Sequence, residues 1–337
     1  MKQFYALILS FVLCLPAFAQ GTQSATLQHG DEYKIFYSSD AFKEAIQNAS
    51  HGDIITLSPG MFNAVNITKA ITLRGAGTES LDSLMNKNLV SVLIGNYTIT
   101  IPDSISEYSF YMEGITHPQS TVQINTLKNA TFAKCQFYAI DYDYATRSSK
   151  WQNLSFIHTY IKSGLSCPDY STASFYNSVI TSFKPSRSSN AQYSLYHCLI
   201  ANDMGLLTIS RSYLENCILH NTGPSISELS ADTNVSFNSI YSGLHSDQAF
   251  PGINSTRGNI SYPTSATPFI NDTFYRLTDL AKTYKANDDT EIGIYGGSHP
   301  FSITTTYPQI KKLIVAPESD SEGKLKIQIE ISSNSIQ

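Results

Sequence analysis

A six-residue phrase recurs five times between Phe132 and Leu219, and no other property of the chain restricts its fold as tightly. The copies read Phe132-Ala-Lys-Cys-Gln-Phe137, Phe156-Ile-His-Thr-Tyr-Ile161, Phe175-Tyr-Asn-Ser-Val-Ile180, Leu195-Tyr-His-Cys-Leu-Ile200 and Leu214-Glu-Asn-Cys-Ile-Leu219. Their fourth positions, Cys135, Thr159, Ser178, Cys198 and Cys217, lie 24, 19, 20 and 19 residues apart, and Ser239 follows after 22 more. Self-similarity at this period marks a solenoid. A leucine-rich repeat would need an aliphatic Leu lattice that these Tyr-, Phe-, Ser- and Thr-rich rungs do not supply. The segments are too short and too rich in β-branched and aromatic residues for helices. One coil of about 20 residues returns the chain to the same sheet edge, as parallel pairing requires. The expected fold is all-β, a parallel β-helix.

The phrase also states which side chains point inward. In Leu214-Glu-Asn-Cys-Ile-Leu219 the spacing of three then two predicts a bend at Asn216, with Leu214, Cys217 and Leu219 inside and Ile218 outside. Asn177, Asn216 and Asn238 share this bend column with His158 and His197. Asn tolerates the left-handed backbone such a bend needs, and stacked amides can bond along the axis. A ladder is the plainer reading of His158 and His197, a ligand role the sharper one.

Residues 1–19 carry Lys2, an apolar run from Phe4 to Leu15 and a small-residue exit, Ala17-Phe18-Ala19. That run is too short to span a bilayer and reads as a secretory signal peptide, which predicts a secreted, periplasmic or cell-surface protein. Its removal takes one lysine and moves the formal charge from −5 to −6. Mild acidity gives no reason to expect nucleic acid or an anionic membrane as partner, and no later stretch is long and apolar enough for a membrane span.

After a polar leader, residues 40–50 form an amphipathic helix: Asp40 can cap it, Phe42, Ala45, Ile46 and Ala49 share a face, and His51-Gly52 ends it. It is placed to cover the first coil, since an open solenoid end exposes core and strand edge. Further strands fall at 53–57, 65–67, 70–75, 90–94, 97–101 and 111–116. About eleven coils fit between Ile54 and Tyr295. Residues 20–300 are thus read as the β-helix, and 301–337 as a β appendage built on 310–315 and 324–331, where apolar and polar residues alternate.

The run Phe42-Lys-Glu-Ala-Ile-Gln-Asn-Ala-Ser-His-Gly-Asp-Ile-Ile-Thr-Leu-Ser-Pro-Gly60, continued by Ile71-Thr-Leu-Arg-Gly-Ala-Gly77, resembles the opening of secreted right-handed parallel β-helix proteins of the pectate-lyase-like superfamily. Gly258-Asn-Ile-Ser, Pro268-Phe-Ile-Asn271, Tyr275-Arg-Leu277 and Glu291-Ile-Gly-Ile-Tyr-Gly-Gly297 are similar to the last-coil signature of bacterial β-helix repeat proteins. The resemblance implies that the expected β-helix is right-handed; the superfamily spans lyases, hydrolases, esterases and members without assigned chemistry.

Hydrolases of this fold would carry Asn-Thr-Asp, Asp-Asp and Gly-His-Gly elements on successive coils, and that set is absent; the one paired Asp, Asp288-Asp289, sits in the closing segment. A lyase needs a neutralised carboxylate, often through Ca²⁺, and a basic residue. Asp141 and Asp143 offer carboxylates, and Arg147, Lys150, Lys184 and Arg187 lie in loops 138–153 and 181–193, which leave successive rungs at one flank. Tyr142, Tyr144 and Tyr170 share that flank, as does Trp151, the single tryptophan, read either as a stacking platform or as packing under its loop. Tyr142, Tyr144, Arg147, Trp151, Lys184 and Arg187 are the candidate polysaccharide site; solvated turns and loops are the plainer alternative. No metal or other cofactor is expected, Ca²⁺ entering only under the lyase alternative, and a monomer is the expected state.

Five cysteines less Cys14 leave four after the signal. Cys198 and Cys217 share an inward column on adjacent coils, within disulfide range, or serve as small buried hydrophobes. The functional expectation is a non-catalytic polysaccharide-binding or structural protein, with a lyase acting on a uronate-containing glycan as the alternative.

Overall fold

The computed structural model describes residues 23–78, 90–105, 107–145, 148–184, 186, 190–201, 212–220, 235–242, 258–263, 266–271, 274–302, 309–315, 324 and 327–332. The signal-peptide stretch lies outside them.

The chain winds as a parallel β-solenoid of about eight turns. One ladder runs in register Ile55–Leu73–Met112–Phe132–Phe156–Phe175–Leu195–Leu214–Ser236. A second carries Phe62 and Leu93 on its first strands and Phe137–Ile161–Ile180–Ile200–Leu219–Tyr241 further along. A third, shorter ladder joins Tyr97–Thr100 to residues 122–126, 139–141, 164–166 and 183–184. The core lies between the ladders. Phe132, Phe156 and Phe175 stack face to face within it, at 5.0 and 4.9 Å and within 10° of parallel, as the first position of the repeat requires.

The bend between the first two ladders falls where the repeat places it. Lys134, His158, Asn177, His197, Asn216 and Asn238 all have φ between 44° and 56°, and each backbone N–H from Lys134 to Asn216 donates to the next coil. The fourth-position column is a hydrogen-bonded ladder in its own right. Thr159, Ser178 and Ser239 hydroxyls and the Cys135, Cys198 and Cys217 thiols each donate to the carbonyl two residues back, which also accepts a backbone N–H from the preceding coil. Successive coils join through it, since the N–H of Cys217 donates to Ser239 Oγ. This explains why Cys, Ser and Thr interchange there. All four described cysteines are free and buried.

The N-terminal end differs from the expectation. The polar leader is a hairpin, β1 (Ser24–His29) with β2 (Glu32–Tyr37), and β1 pairs antiparallel with the outer edge of β3 (Ile54–Leu57). The helix α1 (Ala41–Asn48) buries Ala41, Phe42, Ala45 and Ile46 against β1, β2 and β3, so the edge itself is covered by a strand. Asp40 makes no cap; its carboxylate accepts from Asn63 Nδ2 at 2.9 Å. The strand expected at 65–67 is reduced to a single bridge at Ile67.

The smaller number of turns has two sources. Residues 91–94 and 97–100, expected on separate coils, are the second and third ladders of one coil, and residues 274–302 fold back along the solenoid instead of adding coils. They bury a second apolar cluster in which Ile218, Val179, Leu199 and Ile240, on the outer face of the second ladder, meet Phe269, Leu277, Ile292 and Ile294. Ile218 is outside the coil, as its place in the repeat predicts, and buried nonetheless. Gln309–Val315 and Ile327–Ser332 pair antiparallel, near the two strands expected for the appendage.

Candidate functional site

The returning segment turns the bend column into one wall of a groove. Asn177 Nδ2 donates to the carbonyls of Ile294 and Gly296 at 3.0 and 2.8 Å, and His158 Nε2 to that of His299 at 2.9 Å. Asn216 accepts from Gly293 N through its carbonyl and binds Asn287 through its amide. The expected amide ladder along the axis is therefore limited to Asn216 donating to His197 Nε2 at 3.1 Å, while the His158 and Asn177 side chains hold the returning segment. Gly296 is required there, because a Cβ would stand 1.7 Å from the Glu291 carbonyl and 2.6 Å from His197 Nδ1.

Between this wall and the outer face of the first ladder lies a cavity of about 530 Å³. Its floor includes Tyr111, Ile157, Tyr176 and Tyr196, which point outward because the inward positions alternate with them. Tyr176 and Tyr196 are partners on adjacent coils, stacked at 5.2 Å and 8°, with Tyr213 beyond at 5.7 Å. This is a continuous aromatic stripe, partly open to solvent.

Two Tyr-x-Glu pairs lie on this outer face, one lining the cavity and one on the coil beyond Tyr196. Tyr111 Oη donates to Glu113 at 3.0 Å and Tyr213 Oη to Glu215 at 2.8 Å. Glu113 is buried beside Lys134, whose ammonium burial holds below the usual lysine range while Glu113 opposes the shift. Burial and then Glu215 push the Tyr213 phenol up to about 12. Burial lowers His158 and His197 below the ordinary histidine value, so both are neutral at pH 7. Five register steps separate Glu113 from Glu215, about 24 Å at the strand spacing. A glycosidase pair needs roughly 5–9.5 Å, so these two carboxylates cannot serve one bond.

The flank expected from the sequence is partly assembled. The Tyr142 and Tyr144 rings meet at 4.1 Å, tilted by 39°, close to Asp141, and Lys184 is exposed in register with Ser166, beside Tyr144. Arg147 and Arg187 lie outside the described residues. Trp151 is fully buried and its indole N–H donates to the Ile124 carbonyl at 2.7 Å, so it packs under its loop and offers no stacking face.

Reasoning from the repeat missed the groove because its wall comes from residues 71 to 141 positions away from the rungs they meet. One signal was available: Tyr111-Met-Glu113 and Tyr213-Leu-Glu215 repeat the same pair at equivalent outward positions. Among the described residues no group of three or more His, Cys, Asp or Glu is placed to hold a metal ion, and no helix is long and apolar enough to cross a membrane. No protein-family model, curated protein or solved structure matches the chain.

Proposed function

We propose that this chain is a secreted or cell-surface right-handed β-helix protein, of the pectate-lyase-like kind, that binds polysaccharide without cleaving it. The observation that carries the reading is the groove floored by Tyr176 and Tyr196. An aromatic face covers the apolar C–H face of a sugar ring, while polar groups on the walls meet its hydroxyls. The apolar run of residues 1–19 supports secretion. In glycan-array and calorimetric measurements, Tyr196→Ala should weaken binding of any glycan ligand about threefold to tenfold, the scale of a lost aromatic contact. Tyr142→Ala, on the flank, should leave it unchanged. The reverse pattern would move the site to the loops.

A lyase is the second reading, favoured by Lys134 beside Glu113 in the groove, a lysine whose lowered basicity suits a proton acceptor. It predicts unsaturated product from uronate-containing polysaccharides, tested with and without Ca²⁺.

A further inference from the structure

Through β1 the first ladder ends, on its N-terminal side, in an open strand edge. Among the described residues β2 pairs with β1 alone, in unbroken register from Glu32 to Tyr37. Ser38 N donates to the Gln23 carbonyl, and bonded and non-bonded pairs alternate along an antiparallel ladder. The backbone groups of Glu32, Lys34 and Phe36 therefore serve β1, while those of Tyr33, Ile35 and Tyr37 point to the open edge. The side chains of the same three residues are 66, 51 and 60% exposed, which makes the edge itself a row of apolar surface. Edge strands are ordinarily guarded by a bulge, a proline or a lysine. β2 has neither bulge nor proline, and its lysine faces away: Lys34 Nζ donates to Asn48 Oδ1 of α1 at 2.9 Å and lies 4.9 Å over the Phe36 ring.

We infer that β2 pairs with β2 of a second copy of this chain, giving a two-fold dimer in place of the monomer expected from the sequence; this is independent of what the groove binds. The choice of occupant follows from the edge's complementarity to itself. Antiparallel pairing about a two-fold axis at Ile35 sets Ile35 against Ile35, and Tyr33 against Tyr37 in both directions. It engages every outward N–H and C=O of the three residues in about six backbone hydrogen bonds and places Lys34 opposite Phe36, so no like charges meet. Moving the axis to Lys34 would set two ammonium groups face to face. Moving it to Phe36 would carry Tyr33 opposite Ser39, beyond the strand end where Ser38 turns to a φ of 115°.

Sedimentation velocity on the purified protein, from about 1 to about 100 μM, should show a concentration-dependent dimer. Ile35→Lys brings two charges onto the axis, and Ile35→Pro removes an N–H that β1 does not use; each should weaken the dimer at least about tenfold with the far-ultraviolet spectrum unchanged. A bonded pair holds its Cα atoms about 5.5 Å apart, within disulfide range. Ile35→Cys should therefore cross-link when glutathione disulfide takes up the two electrons and two protons of the paired thiols, leaving as two glutathione thiols. Thr26→Cys, on the same face of β1 but one strand further in, should not, and the native thiols are buried. A parent that stays monomeric at about 100 μM overturns the inference; if Ile35→Lys then lowers its stability, the edge is covered by a segment of its own chain. A dimer unmoved by both Ile35 variants, a Thr26→Cys variant that cross-links as fast as Ile35→Cys, or an Ile35→Cys variant that does not cross-link overturns it as well.

Discussion

Acid should weaken this fold through one residue in its interior, His117. The imidazole is wholly buried, stacked on Phe137 at 4.7 Å and 5°. Its Nε2 accepts from Tyr97 Oη at 2.7 Å, and Nδ1–H donates to the Gln136 carbonyl at 3.3 Å, an arrangement that suits only the neutral ring. Burial lowers its pKa from 6.5 to about 3, opposed by the Gln136 carbonyl. With the folded value depressed, the unfolded chain takes up the proton first. Stability is therefore lost as pH falls below about 6.5, and the loss is complete near pH 3. At about 1.4 kcal/mol per tenfold the ceiling is about 5 kcal/mol, and the part lost between about pH 7.5 and pH 5 is about 2 kcal/mol. His117→Gln can keep both hydrogen bonds and cannot titrate. Urea unfolding at the two pH values should show the parent losing about 2 kcal/mol more than the variant. His158 and His197 act in the same direction in both proteins and cancel from the difference. Equal losses would refute the assignment of a buried neutral imidazole.

Phe156→Ala, in the middle of the stacked column, should cost about 3–5 kcal/mol in the same assay, since both neighbouring rings keep a void against them. Asn177→Gly keeps the left-handed bend but removes two hydrogen bonds to the returning segment, so amide exchange at 293–297 should accelerate about tenfold, with the coil ladders unaffected. Burial raises the thiol of Cys135 to about 12 and places that of Cys198 well above the usual range, so a thiol-specific reagent should label the folded protein only after denaturant is added. Labelling in buffer at the unfolded rate would show that these columns are open.

The coil was legible because its signal is local and repeated. Phe, bend residue and small polar residue occupy fixed places, so Asn177 and His197 could be assigned a left-handed backbone from spacing alone. The ends were not legible, for a physical reason: they depart from the repeat in order to close it. Nothing in Ser24–His29 states that it will pair antiparallel with β3 rather than trail in solvent, and the segment after Phe269 reads like one more coil until its partners at Asn177 and His158 are known. The candidate site suffered most, since the flank residues follow from loop position whereas the groove arises from contact between a mid-chain rung and a distant strap. Trp151 illustrates the limit of composition: an aromatic among polar neighbours satisfied its N–H internally and left the surface.

The returning strap changes how the molecule must come together. In a simple solenoid each coil touches only its neighbours, and folding can spread from any point or stop at any coil. Here residues 287–299 grip coils at Asn216, Asn177 and His158, the last across 141 positions of sequence. The rods can wind up early from short-range pairing, but this clasp can close only after nearly all the solenoid sequence has been made, and it ties the fate of middle coils to the last. Loss of one terminal coil then ceases to be a local event, and fraying gives way to opening of several coils together.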